Sequence, residues 1–458
     1  ISDNEKILYE WTYGEYYMLN SYKDYVNDNI IYYYGDEGQI ERIEDNKGRS
    51  IEYVYEPEKI QKKFTAGNKE HVNEFFIEDT GSRFTIDNIL SISALAYNSG
   101  EEKIYCYEGK NILTIKKRVE KNCIIKNVGA DEYKYVFADN GNLMEEYING
   151  ELISSYEYNN FSQMTRVNSG KQNLTIVYEY DAGGNITIIK NYKLSFEIKT
   201  EALMEEIETV SYKYTSKWRD LLTEYNGEHI EYDDIGNPIS YIKGINYEWK
   251  QGRDLCKISN ENGEIAAYAY NSDGIRTKKV IGDKTIEYYI EGNNVIYEKG
   301  EDYEIYYIYD ADSEITGFEY NDSIFIYKKN GLKDVIGIID LQGNEIASYE
   351  YDSWGKITKI AGNMEIARIN PFRYKSYYYD EESGLYYLNS RYYDAATGRF
   401  INADKHIETY VGIHSNNMFA YCENAPVVRL NSTGEASVGV ANSISSYSSG
   451  YVPKYNTL

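Results

Sequence analysis

Apolar and polar positions alternate along most of this chain in short runs, each closed by tyrosines and a polar turn. The clearest copies are Tyr178-Glu179-Tyr180-Asp181-Ala182-Gly183-Gly184-Asn185-Ile186 and Tyr349-Glu350-Tyr351-Asp352-Ser353-Trp354-Gly355-Lys356-Ile357. Tyr135 to Leu143, Ile230 to Ile239 and Tyr268 to Ile275 repeat the pattern, and Tyr32 to Ile40, Tyr156 to Met164 and Tyr307 to Ile315 do so more loosely. A period of two places one face of each strand inward. The Asp that opens each turn is suited to bonding its own backbone, and the Gly supplies positive φ. Asn-Gly pairs at Asn140, Asn149, Asn226, Asn262 and Asn330, with Asp273-Gly274, add hairpin signals. The unit length is set by pairs such as Gly252 and Gly274, 22 positions apart. One hairpin cannot bury its own face, whereas stacked hairpins can. The pattern therefore predicts an all-β fold, a long antiparallel sheet coiled on itself.

Some segments depart from the pattern. Residues 56–125 carry few such turns and read as degenerate repeats. Thr200 to Val210, TEALMEEIETV, is the best helix candidate, with strand as the alternative. Asn402 to Leu430 reads as short helices or loops. From Ala436 to Leu458 the composition turns to Ser, Gly, Asn and Val, as in a linker or the start of a new region.

Composition narrows the function classes. Of 458 residues, 54 are Tyr and 12 Phe, which suits strands whose rings pack while the hydroxyls stay hydrated. The net charge of −26 disfavours nucleic-acid binding, which needs a basic footprint. Acids such as Glu145, Glu146, Asp233 and Asp234, if they line a lumen, would retain a basic polypeptide by long-range attraction. There is no membrane-length apolar run and no signal peptide. The chain begins at Ile1, which reads as a piece of a longer precursor and leaves secretion open.

Cys106, Cys123, Cys256 and Cys422 form no CxxC pair, and a Cys106–Cys123 bridge is weighed against free thiols. His71, His229, His406 and His414 form no ligand motif, so no metal and no cofactor is expected. Asp310 to Glu314 lacks the Gly and distant Glu of a calcium loop and reads as a turn variant. An Asp at every turn is likewise explained by turn geometry rather than by catalysis.

The most specific stretch is Gly384 to Asp404, GLYYLNSRYYDAATGRFINAD. With the Tyr-Asp repeats, with Ile245 to Val280 and with Tyr327 to Ile357, it resembles the Rhs and YD-repeat proteins, most closely the Gram-positive, wall-associated branch. The resemblance implies four parts: degenerate YD-like repeats over 1–132, a YD-repeat shell over 133–369, the Rhs repeat-associated core over 370–435, and a linker or variable region over 436–458. In similar proteins, including the teneurin shell and the C component of insecticidal toxin complexes, one β-sheet winds into a hollow spiral cage closed by the core. The implied role is a secreted or cell-wall-associated bacterial container for a C-terminal toxin. Its partner is its own cargo, and a cognate immunity protein would bind that cargo rather than the shell.

In many members the core cuts the chain with two aspartates. The first matches Asp404, and the second falls at Asn431, within Asn424 to Glu435. Ser432 and Lys405 stand where the family has prolines, and Glu435 stands for a Leu, which sets the junction at Gly434, Glu435 and Ala436. An aspartyl protease needs two carboxyls sharing a proton, and an amide has none to titrate. Losing one partner costs at least ~100-fold, or ~3 kcal/mol of barrier. The expectation is a passive container rather than an enzyme, with cleavage between Glu435 and Ala436 absent or very slow. The alternatives are an autoprotease in which Glu423 or Glu435 replaces Asn431, and an adhesion or carbohydrate-binding surface built on tyrosines. Arg391 and Arg399 read either as electrostatic supports for Asp404 or as structural groups that stack on Tyr392 or pair with Asp394. Tyr392, Tyr393 and Asp394 read as structural parts of the motif.

Overall fold

A computed structural model describes residues 122–196, 205–310, 313–405, 417–435 and 437–439, together with strand segments between residues 2 and 120. Within each sheet every described strand pairs antiparallel with its neighbour in sequence, so each sheet is a meander. Seven strands run from Tyr9–Tyr13 to Lys69–Phe76, fourteen from Arg83–Thr85 to Glu228–His229, and fourteen from Glu231–Tyr232 to Ile357–Gly362. The ladder passes residue 132 without a break, since Cys123–Val128 pairs with Asp131–Phe137. A four-stranded sheet, Tyr378–Asp380 to Arg399–Phe400, forms the core.

The repeated Tyr and Asp each have a physical task. Asp181 Oδ1 accepts from the amides of Gly183 and Asn185, both at 2.9 Å. Asp352 does the same for Trp354 and Lys356, and Asn271 for Asp273 and Ile275. One carboxylate or amide oxygen thus closes each turn. The preceding tyrosine sends its hydroxyl back to the start of an earlier strand: Tyr270 to the Leu255 carbonyl at 2.9 Å, Tyr309 to Val295 at 2.8 Å and Tyr351 to Val335 at 2.7 Å. Just before the turn the ladder slips by one residue, as between Glu179 and Tyr180 and between Glu350 and Tyr351. Such bulges increase twist, which lets a long sheet coil.

The coil closes by contacts far apart in sequence. Phe64 packs against Tyr289 and Tyr297 at 5.4 Å and Tyr306 at 5.6 Å, and His71 stacks on Tyr306 at 4.0 Å. Ion pairs flank this cluster: Lys47–Glu287 at 3.0 Å, Lys69–Asp322 at 2.8 Å, and Lys62–Glu291. Further along, Lys328 meets Asp131 at 2.7 Å and the Gly331 amide donates to the Tyr135 hydroxyl at 3.0 Å.

Three expectations need revision or bounding. The helix predicted over Thr200 to Val210 is not formed in its described part: Glu206–Lys213 is a strand, with Val210 opposite Ile189, and residues 200–204 lie outside the described residues. Ladder pairing with an apolar neighbour outweighs the helix propensity of the glutamates. Cys123 is a free thiol. Cys106 and Cys123 sit on strands separated by Lys110–Glu120, about 10 Å apart by strand spacing and beyond the ~7 Å reach of a disulfide. In the described part of 402–430 there is a short turn, Tyr421–Asn424, and a strand pair, Arg429–Leu430 with Val438–Gly439. Among the described residues no helix is long and apolar enough to cross a membrane.

Phe64 is fully buried at the seam. Phe64→Ala should lower the local stability of residues 59–76 by ~3–5 kcal/mol, read as faster amide exchange there with little change in 245–280. Unchanged exchange in 59–76 would mean that the aromatic cluster does not close the coil.

Candidate functional site: the core and its junction

The core sits against the inner face of the coil, where polar groups must find partners away from water. Its deepest anchor is Asp380, which is fully buried. Arg276 reaches it with Nη1 at 2.7 Å and Nη2 at 2.9 Å, and Lys279 with Nζ at 3.0 Å. Tyr268, Tyr288, Tyr378 and Tyr387 surround the Arg276 guanidinium at 4.3 to 5.5 Å. Burial alone would raise the Asp380 carboxyl, but Arg276 and Lys279 outweigh it and hold it below the ordinary 3.8. Glu382, buried and next to the charge of Asp380, is pushed up. Close by, the buried carboxylate of Glu298 accepts from Tyr303, Tyr307 and Tyr378 at 2.7 to 2.8 Å.

Tyrosine hydroxyls continue this lining. Tyr241 donates to Asp394 at 2.9 Å, Tyr225 to the Ala396 carbonyl at 3.1 Å and Tyr268 to Glu382 at 3.0 Å. From the core, Tyr393 donates to the Trp354 carbonyl and Tyr386 to that of Gly355, at 2.6 and 2.8 Å. Tyr241, Tyr268, Tyr386 and Tyr393 are buried and Tyr225 is half-buried; among the expected structural residues, Tyr392 bonds Tyr270 at 2.6 Å.

The two arginines of the motif part company. Arg399 is buried on partners of its own: it donates to Asn185 and Tyr214 at 3.2 Å and to the Asp220 carbonyl at 2.8 Å. It stacks over Tyr214 and Phe419 instead of Tyr392, because strand pairing turns it toward the coil. Arg391 does meet Asp404, at 2.8 Å, with its guanidinium 3.7 Å above the Phe400 ring. Neither arginine pairs with Asp394, which holds Tyr241 and the Ala396 amide. Burial lowers the Arg391 guanidinium to about 10, so it stays charged at neutral pH.

Arg391 also grips the segment expected to be the junction. Its Nε donates to the Gly434 carbonyl, its Nη2 to the Glu435 carbonyl at 3.2 Å, and its Nη1 to the Met418 carbonyl at 3.1 Å. Ser390 Oγ holds the Thr433 carbonyl at 2.8 Å. Gly434 has φ +75°, and a Cβ there would stand 2.5 Å from the Leu388 carbonyl oxygen. The Glu435 carboxylate pairs with Lys405 at 2.5 Å. Asp404 and the carbonyls of 434 and 435 therefore share one guanidinium. Ala436 lies outside the described residues.

Asn431 is held differently. It is 3% exposed, its amide N–H donates to the Tyr377 hydroxyl at 2.7 Å, and no protein donor reaches its buried Oδ1. Glu423, the other acid considered for its place, pairs with Arg429 at 2.7 Å. Cys422, Glu423 and Asn424 are consecutive left-handed residues with φ of 50°, 54° and 62°, a conformation costing ~1–2 kcal/mol per residue. Burial raises the Cys422 thiol to about 12, so it is an uncharged packing group. Of the acids proposed for the lumen, two are engaged locally: Glu146 pairs with Lys171 at 3.2 Å, and Asp233 closes its own turn. No cluster of metal-ligating side chains occurs among the described residues.

No family model matches the chain. It is 34% identical over 219 residues to the tRNA3(Ser)-specific nuclease WapA of Bacillus spizizenii and 34% identical over 229 residues to the tRNA nuclease WapA of Bacillus subtilis. Each match covers 46% of this chain but 9% of the relative. Among solved structures, the TcdB2-TccC3 complex superposes with a TM-score of 0.64 at 15% identity, over 92% of this chain and 24% of that one. The chain is thus similar to the two WapA nucleases over about half of its own length and a small part of theirs, and it shares the coiled β-shell fold of the solved complex.

Removing one partner of a buried ion pair strands the other charge. Asp380→Leu, which takes the carboxylate from both Arg276 and Lys279, should therefore destabilise the core by ~3–5 kcal/mol, read from the guanidinium chloride midpoint, and Arg276→Met added to it should recover part of the loss, since Lys279 keeps Glu382. A double variant no better than the single would refute the pairing. Because Asp380 is depressed, its contribution is full above 3.8 and fades as pH falls through its lower folded value. Wild-type stability should drop more steeply below pH ~4 than that of the double variant.

Proposed function

We propose that this chain is the closing section of the shell of a secreted or wall-associated bacterial toxin, which encloses and delivers the polypeptide that follows the core, in competition between bacteria. The observation that carries this reading is the core's seat on the inner face of the sheet, with residues 433–435 gripped there by Ser390 and Arg391. The names of the Bacillus relatives, tRNA nucleases, support a toxin as cargo. The net charge of −26 supports placing any nucleic-acid chemistry in that cargo, not in the shell. A cognate immunity protein would then recognise the cargo.

The core is read as a self-cleaving device that is switched off. Asp404 beside Arg391 and the junction carbonyls is the arrangement expected of one half of an aspartyl dyad, and Asn431 occupies the second position without a titratable proton. Glu423 and Glu435 are each bound to a cation, which disfavours either as a substitute acid. The buried orientation of the lining tyrosines disfavours the carbohydrate-binding alternative.

Intact mass after long incubation at pH 5 and pH 7 tests the switched-off core. The full-length mass should persist, and Asn431→Asp should release a fragment ending at Glu435 at a rate at least ~100-fold higher. Asp404→Asn added to that variant should abolish the cut. Cleavage of the unmodified chain at this bond, or none in Asn431→Asp, would overturn the reading.

A further inference from the structure

Past the junction the chain does not leave the core. Val438–Gly439 pairs antiparallel with Arg429–Leu430, with Arg429 opposite Gly439 and Leu430 opposite Val438. Between the junction and this pair stands Ser437, whose hydroxyl sits between two charges. Arg429 Nη1 donates to Ser437 Oγ at 3.1 Å, and Ser437 Oγ donates to Glu423 Oε1 at 3.3 Å. Arg429 and Glu423 pair at 2.7 Å, so cation, hydroxyl and carboxylate form a closed triangle. Hydrogen bonds to ionised groups are the stronger class.

The triangle is held from behind. Glu423 lies in the left-handed turn Cys422–Asn424, a backbone that three non-glycine residues adopt only when their surroundings impose it. Cys422 is buried, and Asn424 Nδ2 donates to the Gly184 carbonyl at 2.7 Å, pinning the turn to the coil. The segment before the junction has separate anchors in Ser390, Arg391 and Lys405. The chain is thus fixed on both sides of Ala436 by different groups.

We propose that residues 423–430 are a strand-docking site for the first residues of the downstream polypeptide, one that holds without the peptide bond at the junction. Its ligand is an extended peptide with a hydroxyl side chain at the second position past the junction. Backbone pairing supplies the grip, as in other strand additions, and the hydroxyl between Arg429 and Glu423 supplies the selectivity. This rests on the reading of Glu435–Ala436 as the junction and of the following chain as cargo. A cut at that bond then changes connectivity but not position, and release needs a second event that breaks the dock.

Amide exchange on the full chain tests the dock without any cut. Residues 437–439 should be protected in the unmodified protein and about tenfold less protected in Ser437→Ala, while Ser437→Thr keeps the protection. Exchange in the core strands Leu385–Leu388 and Arg391–Asp394 serves as the folding control. Free-chain exchange at 437–439 in the unmodified protein, or unchanged protection in Ser437→Ala, overturns the proposal. In the Asn431→Asp chain, the piece from Ala436 onward should co-elute with the shell, and added Ser437→Ala should free it; equal retention in both also overturns it. If Asn431→Asp does not cut, the reading of residue 431 fails, while the exchange measurement still decides the dock.

Discussion

A charged guanidinium can be buried only where its geometry is matched and its remaining donors are satisfied, and the core of this protein is arranged around one such case. Arg276 comes from the shell and Asp380 from the core, 104 residues later, and both are removed from water. The pair alone would sit near break-even, since desolvating two ions costs about what their attraction returns. Lys279 and the four surrounding tyrosines tip that balance, by a second cation on the carboxylate and by aromatic faces on the guanidinium. The specificity follows: any other register of core on shell leaves a charge unpaired at a cost of several kcal/mol. The adjoining Glu298, held by three phenols, imposes the same condition a few residues away.

This constraint explains the preference for tyrosine over phenylalanine. A sheet lined with Phe would offer the core area but no polar reach, and the core's backbone carbonyls and carboxylates would be buried unpaired. Tyrosine gives both, a ring that packs on the pleat and a donor at its tip. The same side chain serves a second purpose at each turn, where Tyr270, Tyr309 and Tyr351 tie a turn to the start of an earlier strand. Shell construction and core recognition are therefore written in one residue type, and its frequency alone does not separate the two uses.

Much of the fold was legible for that reason. The Tyr-Asp units announce strand, bulge and turn locally, because an Asx side chain needs only amides two and four residues on. The strand Glu206–Lys213 was harder to read: its glutamates look helical, and its ladder partner Ile188–Asn191 lies across an intervening segment. Asp404 was legible from its motif, whereas its link to Arg391 depends on how the chain folds back between residues 391 and 404. Arg276, Lys405 and Ser437 were not legible as partners at all. Each is an ordinary surface type in sequence, and only long-range packing brings it to an opposite charge or a hydroxyl.

The departures at the junction become intelligible from which atoms the core grips. Ser390 and Arg391 bond the carbonyl oxygens of 433, 434 and 435, which every residue carries. Position 435 can therefore change from an apolar side chain to Glu without loss of the grip, and here the carboxylate gains Lys405 as a counterion. Gly434 has no such freedom, since its φ of +75° and the Leu388 carbonyl behind it exclude a side chain. Residue 431 is the opposite kind of position. Its backbone is fixed by Tyr377, while its side-chain oxygen meets no donor, so the fold constrains where the group sits and not which group it is. Aspartate and asparagine are close in volume, and of the two only the carboxyl carries a titratable proton.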